Sequence, residues 1–244
     1  MRHSVQPPGL RPTAAAVATA VLACALLLPM PAAAQTRADA AAADAAQVQP
    51  LAPPARIGFR AFGHYELVSF AAKETFDAVF GRSTMEGPGG GGEVTGLWKG
   101  LFVRGAMSQM SDTGTRAFVY GNEVIPLNIP HTIKIRTVEL GGGWRVQPRR
   151  VPRLAVYGGG GMLFVNYDQT SDFAEAGENA SESFNGTMIF GGAELTIWKW
   201  LIAGAEAQYR AVPDALGGED SISELYNETD LGGASIRVLF GIRR

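Results

Sequence analysis

From residue 56 to the C-terminus, apolar and polar residues alternate with a period of two, the pattern of strands that show one face to an apolar surrounding. The last segment is the clearest: Ala234, Ile236, Val238, Phe240 and Ile242 share one face, and Ser235, Arg237, Leu239 and Gly241 share the other. The preceding segment sets Ala203, Ala205, Ala207 and Tyr209 against Gly204, Glu206, Gln208 and Arg210. Thr187–Trp198, Leu101–Gln109 and Arg56–Leu67 follow the same design, with Glu194, Arg104 and Arg60 on their polar faces. Glycine runs at 89–92, 141–143 and 158–161 blur three more candidates, at 90–98, 132–146 and 154–167. Glycine inside a strand permits tight curvature or close packing of bulky neighbours. No P-loop lysine follows these runs, so a phosphate cradle is not their reading. The total is eight strands.

The connections alternate between short and long. Short ones fall at 98–100, 147–153 and 198–200, and long ones are expected near 70–90, 110–131, 168–184 and 212–231. All four tryptophans, Trp98, Trp144, Trp198 and Trp200, lie at or beside the short turns. Membrane barrels have short periplasmic turns, longer outer loops and aromatic girdles at both interfaces. The prediction is an all-β, transmembrane, up-and-down antiparallel β-barrel with an interface girdle of those tryptophans. Tyr65, Tyr167 and Tyr209 are expected to form the opposite girdle.

The N-terminus changes the setting. Arg2, His3 and Arg11 precede an apolar stretch from Ala14 to Leu28, and Ala32-Ala33-Ala34 stand before Gln35. Residues 1–34 therefore read as a signal peptide cleaved near Ala34. Residues 35–55 are an Ala/Pro-rich linker, and 56–244 are the barrel. The lone Cys24 lies in the leader, so no disulfide is expected. A net charge of −2 argues against nucleic acid as a partner.

Charge is distributed unevenly along the chain. Arg60, Glu66, Glu93, Arg104, Glu139, Glu194, Glu206 and Arg237 stand on polar faces and are expected to pair inside the bore, Arg237 with Glu206. The segments 168–184 and 212–231 are acidic without a basic residue, whereas the short turns carry Lys99, Arg145, Arg149, Arg150, Arg153 and Lys199. Asp172, Glu175, Glu178, Glu219, Asp220 and Glu224 are candidate ligands for divalent cations that bridge to anionic lipopolysaccharide. A plain solvated face is the simpler reading of the same charges. His64 with Ser69 or Ser108 is the sole material for a hydrolase, and no motif surrounds it. No cofactor is expected.

Residues 56–244 resemble the small eight-stranded outer-membrane proteins, the group that holds the OmpA transmembrane domain and OmpX, and outer-membrane β-barrel domain proteins. The resemblance rests on the leader, the strand–turn rhythm, the Gly-rich hairpins, the segment Gly191-Gly192-Ala193-Glu194-Leu195 and the amphipathic last strand. It implies a Gram-negative outer-membrane location and contact with outer-membrane lipid and the barrel-insertion machinery. Such barrels usually end on an aromatic residue, whereas this sequence ends Phe240-Gly241-Ile242-Arg243-Arg244. A non-enzymatic structural or surface-interaction scaffold is the expected function. A narrow carrier for a small solute, a lipid-modifying outer-membrane enzyme and a soluble periplasmic barrel remain alternatives.

Overall fold

The computed structural model describes residues 57–121, 123–171, 179–218 and 221–243. The expected leader at 1–34 and linker at 35–55 lie outside them. Eight antiparallel strands pair in chain order: β1 (Gly58–Phe70), β2 (Thr84–Thr95), β3 (Leu101–Tyr120), β4 (Glu123–Val146), β5 (Leu154–Ser171), β6 (Ala180–Thr196), β7 (Leu201–Ala211) and β8 (Gly233–Arg243). β8 returns to β1, from Arg60 opposite Arg243 to Phe70 opposite Gly233, and closes the ring. Closure gives each strand a partner on both sides, so the backbone groups of the ring need no water.

The alternation decides which face looks where. On β8, Ile236, Val238, Phe240 and Ile242 are 48–60% exposed, while Arg237 between them is 1% exposed. The outward face elsewhere carries Phe59, Leu67, Val103, Met107, Leu140, Val156, Met162, Ile189 and Leu195. Toward the longer connections it turns polar at Gln109, Arg136 and Asn166. From Val156 to Phe164 the strand climbs about 20 Å along the barrel axis at the usual rise and tilt, close to the apolar band of an outer-membrane barrel. Apolar outside and charged inside is the reverse of a soluble barrel, so that alternative falls.

Two expected loops are largely or partly strand. β3 and β4 continue past the apolar band, so residues 110–131 form a long hairpin instead of a loop. Beyond the band the outward face need not be apolar, so polar stretches such as Ser111–Arg116 carry no period-two signal. Pro126 and Pro130 disguised the segment further. Both lie outside the part of β4 that pairs with β5, which begins at His131, so the missing N–H groups leave that ladder intact. The β3–β4 register shifts between Thr115 and Ala117, near Asn128 at φ +56°. Likewise β5 runs to Ser171 and β6 starts at Ala180, which shortens the loop expected at 168–184.

The connection after β1 holds helix α1 (Lys73–Phe80), and that before β8 holds the single turn α2 (Ile222–Leu225). Helix α1 has no side-chain cap of its own. Glu228, from the connection before β8, supplies one: its carboxylate accepts from the backbone N–H of Glu74 (3.1 Å) and Thr75 (2.9 Å) and from the Thr75 hydroxyl (2.7 Å). Phe76 points down and stacks on Phe70 with ring centroids 4.1 Å apart. Beneath α1, Val68, Phe70, Met85, Met110, Ile135, Leu163, Val165, Val212 and Leu231 form an apolar layer across this end of the bore. Tyr167 belongs to that buried cluster at 9% exposure, whereas Tyr65 and Tyr209 are about half exposed at 52% and 53%. The expected outer girdle thus loses Tyr167, because odd-numbered positions of β5 point inward.

Candidate functional site

Below the apolar layer the inward positions are charged. Strand β1 brings Arg60, His64 and Glu66, β2 Glu93, β3 Arg104, β4 Glu139 and Arg145, β6 Glu194, β7 Glu206, Gln208 and Arg210, and β8 Arg237. The alternation that turns their neighbours to lipid turns these inward.

They sort into two ion-paired groups. At mid-bore, Arg237 Nε donates to Glu66 at 2.7 Å and its Nη1 to Glu139 at 2.8 Å. Arg210 Nη2 reaches Glu66 at 2.7 Å and Glu139 at 2.9 Å. Arg104 Nη2 donates to Glu206 at 2.9 Å. Arg237 also forms the expected ion pair with Glu206, at 3.6 Å, but its hydrogen bonds go to Glu66 and Glu139. Glu206 sits directly opposite Arg237 across the β7–β8 ladder, but the long guanidinium reaches over the bore to β1 and β4, where two carboxylates await it. Toward the short turns, Arg60 pairs with Glu93 (3.4 Å) and with Glu194, and Arg145 with Glu93 (2.8 Å) and Glu194 (2.9 Å). Among the described residues the two groups hold five arginines, Arg60, Arg104, Arg145, Arg210 and Arg237, and five glutamates, Glu66, Glu93, Glu139, Glu194 and Glu206. Their formal charges cancel, the condition for burying so many ions together.

Aromatic rings bind the two groups into one plug. The Arg104 guanidinium lies 3.6 Å from the centre of the Phe190 ring, and Arg145 lies 5.0 Å from that of Tyr157 and 5.3 Å from that of Phe102. Glycines make room for them: a Cβ on Gly159 would stand 2.8 Å from Phe190 Cζ, and one on Gly192 2.7 Å from Tyr157 Oη. Two small voids interrupt the packing, about 20 Å³ among Arg60, Glu93 and Arg145 and about 10 Å³ beside Arg210. Each has room for roughly one water molecule.

Arg145 is not a turn residue as expected but an inward one of β4, which counting inward positions from Glu139 through Gly141 and Gly143 reaches. Arg210 and Gln208 were on a polar face but not assigned to the network; Gln208 accepts from Arg210 Nε at 2.8 Å. His64 and Ser108 flank Gly89 in one cross-strand row and are both buried, and neither ring nitrogen of His64 has a hydrogen-bond partner. His64 therefore does not activate Ser108 through a hydrogen bond. Ser69 takes the opposite parity on β1 and cannot meet His64.

Trp98, Trp144, Trp198 and Trp200 are 55–60% exposed at the short-turn end, with Trp198 and Trp200 stacked at 5.9 Å and Lys99 Nζ 5.0 Å from the Trp98 ring centre. Of the candidate cation ligands, Asp172, Glu175, Glu178, Glu219 and Asp220 lie outside the described residues, and Glu224 lies on α2. Among the described residues no three His, Cys, Asp or Glu side chains gather as a metal site. Two other acidic side chains of the connection before β8 hold the fold: Glu228 caps α1, and Asp230 accepts from the N–H of Val212 and of Gly232, each at 2.7 Å.

Neither a protein-family model nor a curated protein matches the sequence. Among solved structures the chain is similar to Ail, the attachment invasion locus protein of Yersinia pestis, solved with the heparin analogue sucrose octasulfate, with 14% identity over 78% of this chain and 100% of that one and a TM-score of 0.46. It is similar to the Neisserial surface protein NspA, at 10% identity over 77% of this chain and 95% of the other, TM-score 0.43. A major outer membrane protein of Thermus thermophilus is also similar, at 10% identity over 76% and 99%, TM-score 0.46.

Proposed function

We propose that this protein is an outer-membrane β-barrel that acts without catalysis, as a sealed scaffold presenting its longer connections to the cell exterior. The single observation that carries this reading is the ion-paired plug: ten charged side chains of balanced sign fill the bore between the turn-end tryptophans and the apolar layer under α1. Eight strands enclose an interior just wide enough for side chains to fill, and here they fill it. The outward apolar band meets membrane lipid, and the short turns with their tryptophans lie at the periplasmic interface. Support for the orientation comes from connection length, the longer ones facing out as outer-membrane barrels have them.

Planar-bilayer recording of the purified protein tests this directly. The expected trace is flat, and steady nanosiemens-scale steps would overturn the scaffold in favour of the solute carrier. The membrane assignment is checked separately by gel mobility of the outer-membrane fraction, which should change on heating.

A further inference from the structure

Above the apolar layer, on the side away from the short turns, the barrel opens into a cup of about 600 Å³. It is walled by α1, the outer ends of β3 to β6 and the connection before β8. Phe76, Phe80, Ile133, Tyr167, Phe184 and Leu216 give it an apolar, largely aromatic lining, continuous with the buried cluster that closes the bore. A volume of this size lies within the roughly 300–1,000 Å³ of small-molecule sites, which join an apolar body to a few polar groups. The cup is therefore separate from the charged plug and holds independently of whether the bore conducts.

The polar groups on its wall decide what charge it favours. Glu182 on β6 and Asp214 in the connection before β8 line it, and the chain segments carrying them, 168–184 and 212–231, contain no basic residue. Arg116 and His131 line the β3–β4 wall. Arg116 has an interaction of its own, and it sets one guanidinium against the two carboxylates of the wall; burial together with the Arg116 charge lowers the His131 pKa below its ordinary value. Two carboxylates against one guanidinium favour a cation by ion pairing, and aromatic rings in the same lining can add to that attraction.

We propose that this cup binds a small amphipathic cation, with its apolar or aromatic body on Phe80, Phe184 and Leu216 and its charge toward Glu182 and Asp214.

Ethidium is a suitable probe, because it is flat, aromatic and cationic and brightens in an apolar site. The full chain in phosphatidylcholine nanodiscs should show saturable ethidium binding above that of empty nanodiscs. The anionic dye anilinonaphthalene sulfonate, of similar apolar character, should bind at least about tenfold more weakly, a difference of about 1.4 kcal/mol. The double variant Glu182→Gln, Asp214→Asn should raise the ethidium Kd about tenfold while leaving the sulfonate unchanged or tighter. Asn suits position 214, whose φ is +56°. Leu216→Trp, which fills the cup from an already partly exposed side chain, should abolish saturable ethidium binding with heat-modifiable mobility retained. No saturable binding to the wild type, sulfonate binding as tight as ethidium, or an unchanged Kd in the charge-neutralised variant would each overturn the proposal.

Discussion

At the scale of single residues, burial decides what a charge is worth. Glu139 is 1% exposed and faces Arg104, Arg210 and Arg237. Its replacement in Glu139→Ala leaves three guanidinium groups with one carboxylate fewer in a site without bulk water, and a cost of about 3–5 kcal/mol in unfolding free energy is expected. Arg82 and Asp112 pair as closely, at 2.7 Å, but the arginine side chain is 52% exposed. Asp112→Ala should accordingly cost no more than about 1 kcal/mol. Urea unfolding of both variants in lipid vesicles checks the contrast, and equal losses would contradict the buried network. The Glu228 carboxylate offers an intermediate case: Glu228→Ala removes the cap of α1 and should cost about 1 kcal/mol without altering the ring.

At the scale of the element, each strand does two jobs whose limits differ. The lipid-facing job stops where the outward residues turn polar, while hydrogen bonding between β3 and β4 carries on to Tyr120 and Glu123. Depth sets the cost of a charge on the lipid face. Val238→Arg, nearer mid-membrane, should destabilise by about 2–4 kcal/mol, whereas Phe240→Arg, closer to the short-turn interface, should cost nearer 0–1 kcal/mol. Stability equal to wild type for both would refute the lipid-facing assignment. The projecting part of the β3–β4 hairpin contributes nothing to closure, since β2 pairs β3 only up to Ser108 and β4 pairs β5 only from His131. Exchanging residues 117–128 for a tight turn should leave heat-modifiable mobility intact, and loss of the folded band would show that the hairpin takes part in folding.

At the scale of the whole molecule, the barrel is layered along its axis: tryptophans at the turns, then ions and rings, then an apolar layer, then the open cup. Neutralising a single carboxylate in the plug should not open a path, because the Phe102, Tyr157 and Phe190 rings and the apolar layer remain. Glu206→Gln is therefore expected to lower stability while bilayer recordings stay flat, and a conducting variant would show that the salt bridges alone form the seal.

The ring was legible in the amino-acid order alone. A period of two with charges on one face is a local code, written by steric alternation along each strand, so the lipid face, the inward charges and the short turns were legible residue by residue. Arg145 shows how local that code is, for counting by twos from Glu139 reaches it. Whatever depends on distance across the bore emerged only once the chain was folded. Arg237 prefers Glu66 and Glu139 over the adjacent Glu206 because a guanidinium spans the narrow interior, and no spacing along the chain encodes that reach. The same holds for Glu228 capping α1 from more than 150 residues away and for the cup, whose walls come from five elements and one connection. Periodicity also fell silent where the surrounding changed, in the hairpin past the membrane band, because strand pairing there proceeds without an apolar medium to impose alternation.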